Sequence, residues 1–345
     1  MNPLTRSHVV VVGAGVMGMA TAAVLGERGA RVTVLDPGLG AHSASAVAAG
    51  MIAPGLEAAI EGASAERAAL YRVAANLWPA FSKRFQLGLV EDGADWRGPR
   101  EPLAGRLAAL GVEFEDGPEG LYLPGESRLE AAAALRRLHR GLRGGSGCLP
   151  LRAERIDPDA DGPVVHTGGE RFRADAVVLA AGAGAPEVYV EGLRLRGLIS
   201  PIKGQAAVLG SQALAAVQRT VRTPDIYVSP QRGSVIVGAT MEYGRSDVTV
   251  EPAAIARLLS AAVEAVPALK DMAPVGGAAG VRGATPDGLP MAGATSAPGV
   301  FAALAPRRNG WLLAPLVAEA VAAAIAGEPP PPEAGLLRPD RFDPA

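Results

Sequence analysis

Apolar positions along the chain switch between two periods, and the switches mark the elements. Residues 8–12, HVVVV, form a β-branched run suited to a strand covered on both faces. Residues 16–28 follow with the Val, Met, Ala and Leu content of a packed helix, and residues 31–35 alternate back into a strand, so the chain opens as a βαβ unit. Residues 37–55 are small and rich in Gly, Ser and Ala, which predicts a loop. Residues 65–85 return to helical composition, with Leu70, Leu77, Trp78 and Phe81 at helix-like spacings. The stretch 88–128 is rich in Gly, Pro and acidic residues and offers only short strands such as Gly120–Leu123. A helix over 128–142 is ended by Gly144 and Gly145, and residues 174–179 read as a buried strand that returns to the first sheet at Ala180-Ala181-Gly182.

From about 196 to 250 the pattern changes to short strands, 198–208, 226–229 and 235–237, divided by Gly and Pro in hairpin fashion. A second, antiparallel layer is expected. Residues 253–266 predict a helix, 275–299 turns, 300–304 a strand and 311–325 a core helix; the tail from Glu328, with Pro329 to Pro332, predicts an extended surface segment. The expected fold is α/β, an α+β two-domain chain. A discontinuous Rossmann-type part covers 1–86, 129–195 and 275–330, a mainly antiparallel-sheet substrate part covers 87–128 and 196–274, and a tail covers 331–345.

Composition narrows the class. A chain of 345 residues has room for two domains with a large core. Lys and Arg number 33 against 35 Asp and Glu, so there is no basic field to attract a phosphate backbone, and nucleic acid is not an expected partner. A single cysteine, Cys148, can form neither an internal disulfide nor a multi-Cys metal site, and four scattered histidines show no zinc spacing. The expectation is no metal and a reducing, cytoplasmic setting. Residues 9–26 are uncharged and raise the question of a signal peptide or anchor, but they are dominated by Gly and Ala and run directly into the next strand. The run 312–327 contains Glu319 and is too short to span. No membrane partner is expected.

The chemistry starts at residues 9–36, VVVVGAGVMGMATAAVLGERGARVTVLD, where Gly13, Gly15 and Gly18 lie between strand and helix and Asp36 closes the next strand. This is a dinucleotide fingerprint in its proper context. Gly13 permits the tight turn, Gly15 lets a pyrophosphate approach the backbone, and Gly18 lets helix and strand pack closely. Asp36 would accept hydrogen bonds from the adenosine ribose, and its charge disfavours a 2′-phosphate. Both NAD and FAD use this turn; the small-residue loop and long helix that follow Asp36, in place of a third strand, favour FAD.

Several separated stretches resemble the D-amino acid oxidase superfamily of FAD enzymes, most closely the glycine oxidases of thiamine biosynthesis. They are the fingerprint, Ala48 to Pro54, Val178 to Gly182, Pro201 to Gln205, Gly238 to Met241, Arg282 with Thr285 to Pro290, and Arg308-Asn309-Gly310 leading into Leu312 to Pro315. They occur in family order and span nearly the whole chain. The resemblance implies a two-domain flavoprotein in which Ser45, Ala48, Ala49, Gly50 and Met51 lie along the cofactor, Ala181 and Gly182 pass near it, and Asn309, Gly310, Trp311 and Leu312 bring a helix N-terminus to the flavin O2 edge. It further implies that Arg282, helped by Tyr227 and Arg308, holds the substrate carboxylate, and that Met241 lines the pocket. Two departures stand out: Ala305-Pro306-Arg307 replaces the family's Gly-His-aromatic, and the region 88–128 is short. The family's late, flavin-attaching cysteine has no counterpart, which implies non-covalent FAD.

What the resemblance implies in function is oxidation of glycine or another small amino acid or amine, by hydride transfer to flavin, to an imine, then an oxo acid and ammonia, with dioxygen reoxidising the flavin to hydrogen peroxide. Two alternatives stay open. One is a flavin dehydrogenase or secondary-metabolism amine oxidase acting on a larger or acidic substrate, the latter motivated by Arg307; the other is a catalytically silent flavoprotein subunit. A homo-oligomer is compatible with any of these. Asp287, in Pro286-Asp287-Gly288, reads as a turn residue rather than an acid or base.

Overall fold

The computed structural model describes residues 4–41, 43–142 and 145–343. Among these, a six-stranded sheet runs in the spatial order Met291–Ala294, Val300–Leu304, Ala176–Leu179, His8–Val12, Arg31–Leu35 and Gly147–Leu149. All neighbours are parallel except the first pair. Residues Val9 to Val12 are buried because sheet partners flank them and layers cover both faces, as the unbroken valine run predicts. The fingerprint helix Val16–Glu27 packs against Gly310–Ala326, and both are apolar nearly all round, which suits helices enclosed by the sheet and by each other.

Within Gly310–Ala326, Pro315 lacks an N–H, so the Trp311 carbonyl loses its usual partner four residues on. The buried Trp78 indole supplies one instead, donating to the carbonyls of Trp311 and Leu312 at 3.1 Å each. The long helix expected over 65–85 is in fact two, Ala65–Asn76 and Trp78–Phe85, because Pro79 cannot continue the hydrogen-bond ladder of the first.

A nine-stranded sheet forms the second layer. It is antiparallel apart from one parallel pair, Thr220–Arg222 with Ala94–Trp96. Its longest strands are Ser200–Leu209 and Pro274–Ala284, which pair from Ser200↔Ala284 to Leu209↔Pro274. The second of these corrects the turns expected from residue 275, and it places residues 275–284 in the large sheet. The sequence PVGGAAGVRGA lacks β-branched alternation because neighbours press on it: a Cβ on Gly280 would crowd Val47 and Ala44, and one on Gly277 would crowd Val250.

Three other expectations change. Within the expected loop 37–55 lie the strand Met51–Ile52 and the start of the helix Pro54–Glu61; Pro54 at its first turn and Gly62 in the left-handed conformation at its end were the available signals. A four-stranded sheet of Arg171–Arg173, Val164–Thr167, Ala153–Asp157 and Tyr189–Val190 was not anticipated. The tail is not extended but forms two 3-10 turns, Pro332–Leu337 and Pro339–Phe342, with Leu337 fully buried. The helix expected over 128–142 is Ala131–Gly141; of its expected stop, Gly144 lies outside the described residues. No described helix is long and apolar enough to cross a membrane.

Candidate active site

The strand His8–Val12 ends at Gly13, whose N–H donates to the Leu35 carbonyl at 2.8 Å. Gly13 holds φ +113°, and a Cβ there would run into the main chain of Ala180. A Cβ on Gly18 would strike the Gly13 carbonyl oxygen, so helix and strand meet backbone to backbone. Around Gly15, at the head of the helix, the nearest atom to a would-be Cβ is Ser45 Oγ at 3.4 Å, which leaves the positive helix end open to an anion. Ser45 ties three elements: its Oγ accepts from Val16 N–H at 2.9 Å and its carbonyl from the Trp311 indole at 3.1 Å. Asp36 accepts from the amides of Ala14, Gly38 and Gly40 at 2.9–3.0 Å. It is thus a turn organiser first; with about four acceptor directions on a carboxylate, one remains for a ribose hydroxyl. These residues fit the pyrophosphate and ribose of a dinucleotide.

Beyond the loop lies a cavity of roughly 380 Å³ between the two layers. One wall is the backbone run Ala48 to Met51. That run is fixed by Gln231 Nε2, which donates to the Ala49 carbonyl at 3.1 Å, and by Leu129 N–H, which donates to the Gly50 carbonyl at 3.0 Å. The facing wall is the large sheet, where Gly204, Gly238 and Gly280 keep the surface low. At one end the helix Gly310–Ala326 begins. The N–H groups of Gly310, Trp311 and Leu312 precede its first internal bond, Leu313 N–H to Asn309 O at 3.0 Å, and are preorganised donors. Asn309 is held there by Tyr71, whose hydroxyl accepts from Asn309 Nδ2 at 3.0 Å and donates to Glu61 at 2.9 Å.

Charge is concentrated on the far side. Arg282 rises from Pro274–Ala284 over Gly204, where any Cβ would collide with its guanidinium. Its only acceptors among the described residues are neutral, the Thr240 carbonyl and Met241 Sδ, both at 3.3 Å. Burial pulls this guanidinium below its ordinary pKa. Tyr227 stands in the same wall, and burial pushes its hydroxyl pKa up, so it stays protonated and can donate. Arg308 donates to Glu57 at 2.5 Å, and Arg222, 6% exposed, donates to the other oxygen of Glu57 at 2.8 Å. Burial alone would raise the Glu57 carboxyl, but Arg308 and Arg222 hold it down to about 2. Behind it, buried Glu126 accepts from the amides of Gly55 and Leu56 at 3.0 Å, and burial pushes its carboxyl up to about 8.

The structure therefore brings Ala48, Ala49, Gly50, Met51, Tyr227, Met241, Arg282, Arg308, Asn309 and Trp311 to one cavity. Gly13, Gly15, Gly18 and Asp36 lie at the fingerprint. Ser45, Ala181, Gly182, Gly310 and Leu312 do not line the cavity; Leu312 is a core side chain with only its amide available. Arg307 is not the extra cation expected for an acidic substrate: it donates to Glu61 at 3.1 Å and to the Tyr243 hydroxyl at 3.2 Å. The segment Ala305-Pro306-Arg307 instead stitches the helix start to the large sheet, through Arg307 N–H to the Gly283 carbonyl at 2.9 Å. Asp287 accepts from Thr285, Leu289 N–H and Arg341, as a turn residue would. Sequence reasoning missed Glu57, Arg222 and Glu126. Only Pro54, which starts the helix carrying Glu57, gave any local sign of them. Among the described residues no His, Cys, Asp and Glu cluster is arranged to hold a metal.

A family model described as FAD dependent oxidoreductase, DAO, matches residues 8–324. A glycine oxidase of Geobacillus kaustophilus is 31% identical over 353 residues, covering 92% of each chain, and one of Pseudomonas aeruginosa is 29% identical, covering 94% of this chain and 96% of that one. The crystal structure of glycine oxidase from Geobacillus kaustophilus matches with a TM-score of 0.85 at 27% identity, over 99% of this chain and 100% of that chain.

Proposed function

The chain belongs to the FAD-dependent oxidoreductase (DAO) family, and from that premise we propose that it oxidises glycine or another small amino acid to the oxo acid and ammonia. The observation that carries this reading is Arg282, a half-buried cation in the cavity wall that has, among the described residues, only a carbonyl and a thioether for partners. A substrate carboxylate would complete it with paired charge-assisted hydrogen bonds, and the Tyr227 hydroxyl would donate a further one.

The residues present fit FAD. Gly13, Gly15 and the head of Val16–Glu27 would hold the pyrophosphate, Asp36 the ribose, and the Ala48 to Met51 backbone the ring. The amides at the start of Gly310–Ala326 would face its O2 edge. When bound, FAD would supply the acceptor for the Cα hydride and, with dioxygen as the final acceptor of the electron pair, the route to hydrogen peroxide. The protein's own part is positioning: Arg282 and Tyr227 would fix the carboxylate and thereby the Cα hydrogen. Of the lining carboxylates, Glu57 is tied to two arginines and Asp225 sits on an exposed turn, so the substrate amine sheds its proton to water and reacts as the neutral form. Water hydrolyses the resulting imine. Cys148 lies on Gly147–Leu149 at the edge of the first sheet, and burial with nearby Asp36 pushes its thiol up to about 11. It is a poor nucleophile there, which supports non-covalent FAD.

The test is an anaerobic mix of the purified flavoprotein with glycine, sarcosine and small amino acids of both hands. Bleaching of the oxidised flavin by at least one, at a rate that climbs with pH toward the amine pKa, is expected; admitting air should then release peroxide. A flavin that none of them bleaches rejects the reading.

A further inference from the structure

Three arginines line the cavity, Arg222, Arg282 and Arg308, against one buried carboxylate, Glu57. Glu57 is shared between Arg222 and Arg308, and Glu61 between Arg307 and Arg308. Four arginines thus face two enclosed carboxylates, a surplus of about two positive charges, and the cavity's other carboxylate, Asp225, is exposed to solvent. A substrate with a single carboxylate answers one of them at Arg282 and leaves the other desolvated, which is unfavourable.

Arg222 is the group left wanting. Both of its hydrogen bonds leave from Nη1, to Glu57 and to Met51 Sδ at 3.6 Å; Nη2 has no acceptor among the described residues, and neither has Nε, which the protein encloses. Its place is fixed by the sheet. Cross-strand register aligns Arg222, Tyr227, Gly238, Ala206 and Ala278 in one row, with Arg282 four residues beyond Ala278 on the same strand, so Tyr227 lies on the path between the two guanidinium groups. The Tyr227 hydroxyl lies over Gly238 and the Arg282 guanidinium over Gly204, so both side chains take up the room these glycines leave.

We infer that the cavity takes an amino acid bearing a second carboxylate, with Arg282 holding the α-carboxylate and Arg222 the distal one. This rests on the proposed function and narrows its substrate class. A distal carboxylate meets the surplus charge and gives the Arg222 side chain the acceptor it lacks, and specificity follows from charge rather than size. A neutral amide of the same shape would leave the cation unpaired and present an N–H₂ donor to it.

The experiment uses the wild-type flavoprotein and isosteric pairs. Flavin absorbance is titrated anaerobically with succinate against succinamate, and kcat/KM is measured for aspartate against asparagine and glutamate against glutamine, each in both enantiomers. The acid of each pair is expected to bind, and the reactive enantiomer to turn over, at least about tenfold better than its amide, as befits one charge-assisted hydrogen bond. Arg222→Gln should bring the acid-to-amide ratio toward one; because this is a ratio within one protein, a general loss of activity cancels. Equal wild-type values for acid and amide overturn the inference, and they leave the proposed function standing if any neutral amino acid bleaches the flavin. If succinate outbinds succinamate while no amino acid bleaches the flavin, the two-anion site stands and the oxidase reading falls.

Discussion

In the proposed reading, recognition at the fingerprint end of the molecule would be carried by main chain. Gly13, Gly15 and Gly18 contribute shape and amides, and the one charged residue, Asp36, spends three hydrogen bonds on the turn itself. At the sheet end it would be carried by long side chains: Arg222 and Arg308 are held by Glu57, while Arg282 lies over Gly204 with the Thr240 carbonyl and Met241 sulfur as partners. Backbone recognition is tied to a fold and tolerates no added atom. Side-chain recognition is tied to a charge balance and can be retuned without unfolding the chain. A shared cofactor with a variable substrate calls for that division.

The sharpest way to break the comparison is at the first region. Gly18→Val would drive a branched side chain into the Gly13 carbonyl, and we expect a loss of more than about 3 kcal/mol with no retained flavin, read by thermal melting and by the flavin-to-protein absorbance ratio. Arg282→Met should do the opposite. Flavin content and melting temperature should stay near wild type, while kcat/KM for an amino acid falls about a hundredfold or more, largely through KM, as expected when one member of a buried charged contact is removed. If Arg282→Met also sheds its flavin, the two regions are not separable as described.

A finer test uses pH. The Glu126 carboxyl is raised from its ordinary value to about 8, so the folded state holds a proton that the unfolded chain has lost by about pH 5. The associated stability is present below the unfolded pKa and declines as pH rises through about 8. The wild type should lose roughly 2 kcal/mol between about pH 6 and pH 8 from this source, and Glu126→Gln, whose carbonyl can still accept from Gly55 and Leu56, should flatten that slope. Parallel slopes in the two proteins would remove Glu126 as the titrating group.

The same contrast governs what the sequence made legible. The fingerprint was readable because glycine spacing, a valine run and a closing acid are local and each has a backbone cause. Arg282, Tyr227 and Arg308 came into view only through the resemblance; nothing in VRGA or DIYV by itself marks a clamp. Arg222 and Glu57 were invisible because they become a pair only when the strand Thr220–Arg222 and the helix Pro54–Glu61, 165 positions apart at the contact, come together. The strand Pro274–Ala284 was misread as turns for a related reason. Its glycines answer to Val47, Ala44 and Val250 from elsewhere in the chain, and a window of its own residues holds none of that information.

The C-terminal turns were also misread, and their anchoring has a practical side. Arg341 holds the Asp287 carboxylate at 2.9 Å and donates to the Leu289 and Pro290 carbonyls at 2.9 and 3.0 Å, while Leu337 closes the core below. Asp287 lies five residues from Arg282 along the chain. Trimming back to the proline run would therefore uncover a greasy seam and slacken the bend that follows the clamp strand, so a shortened expression version would misreport substrate affinity even where it still bound its dye.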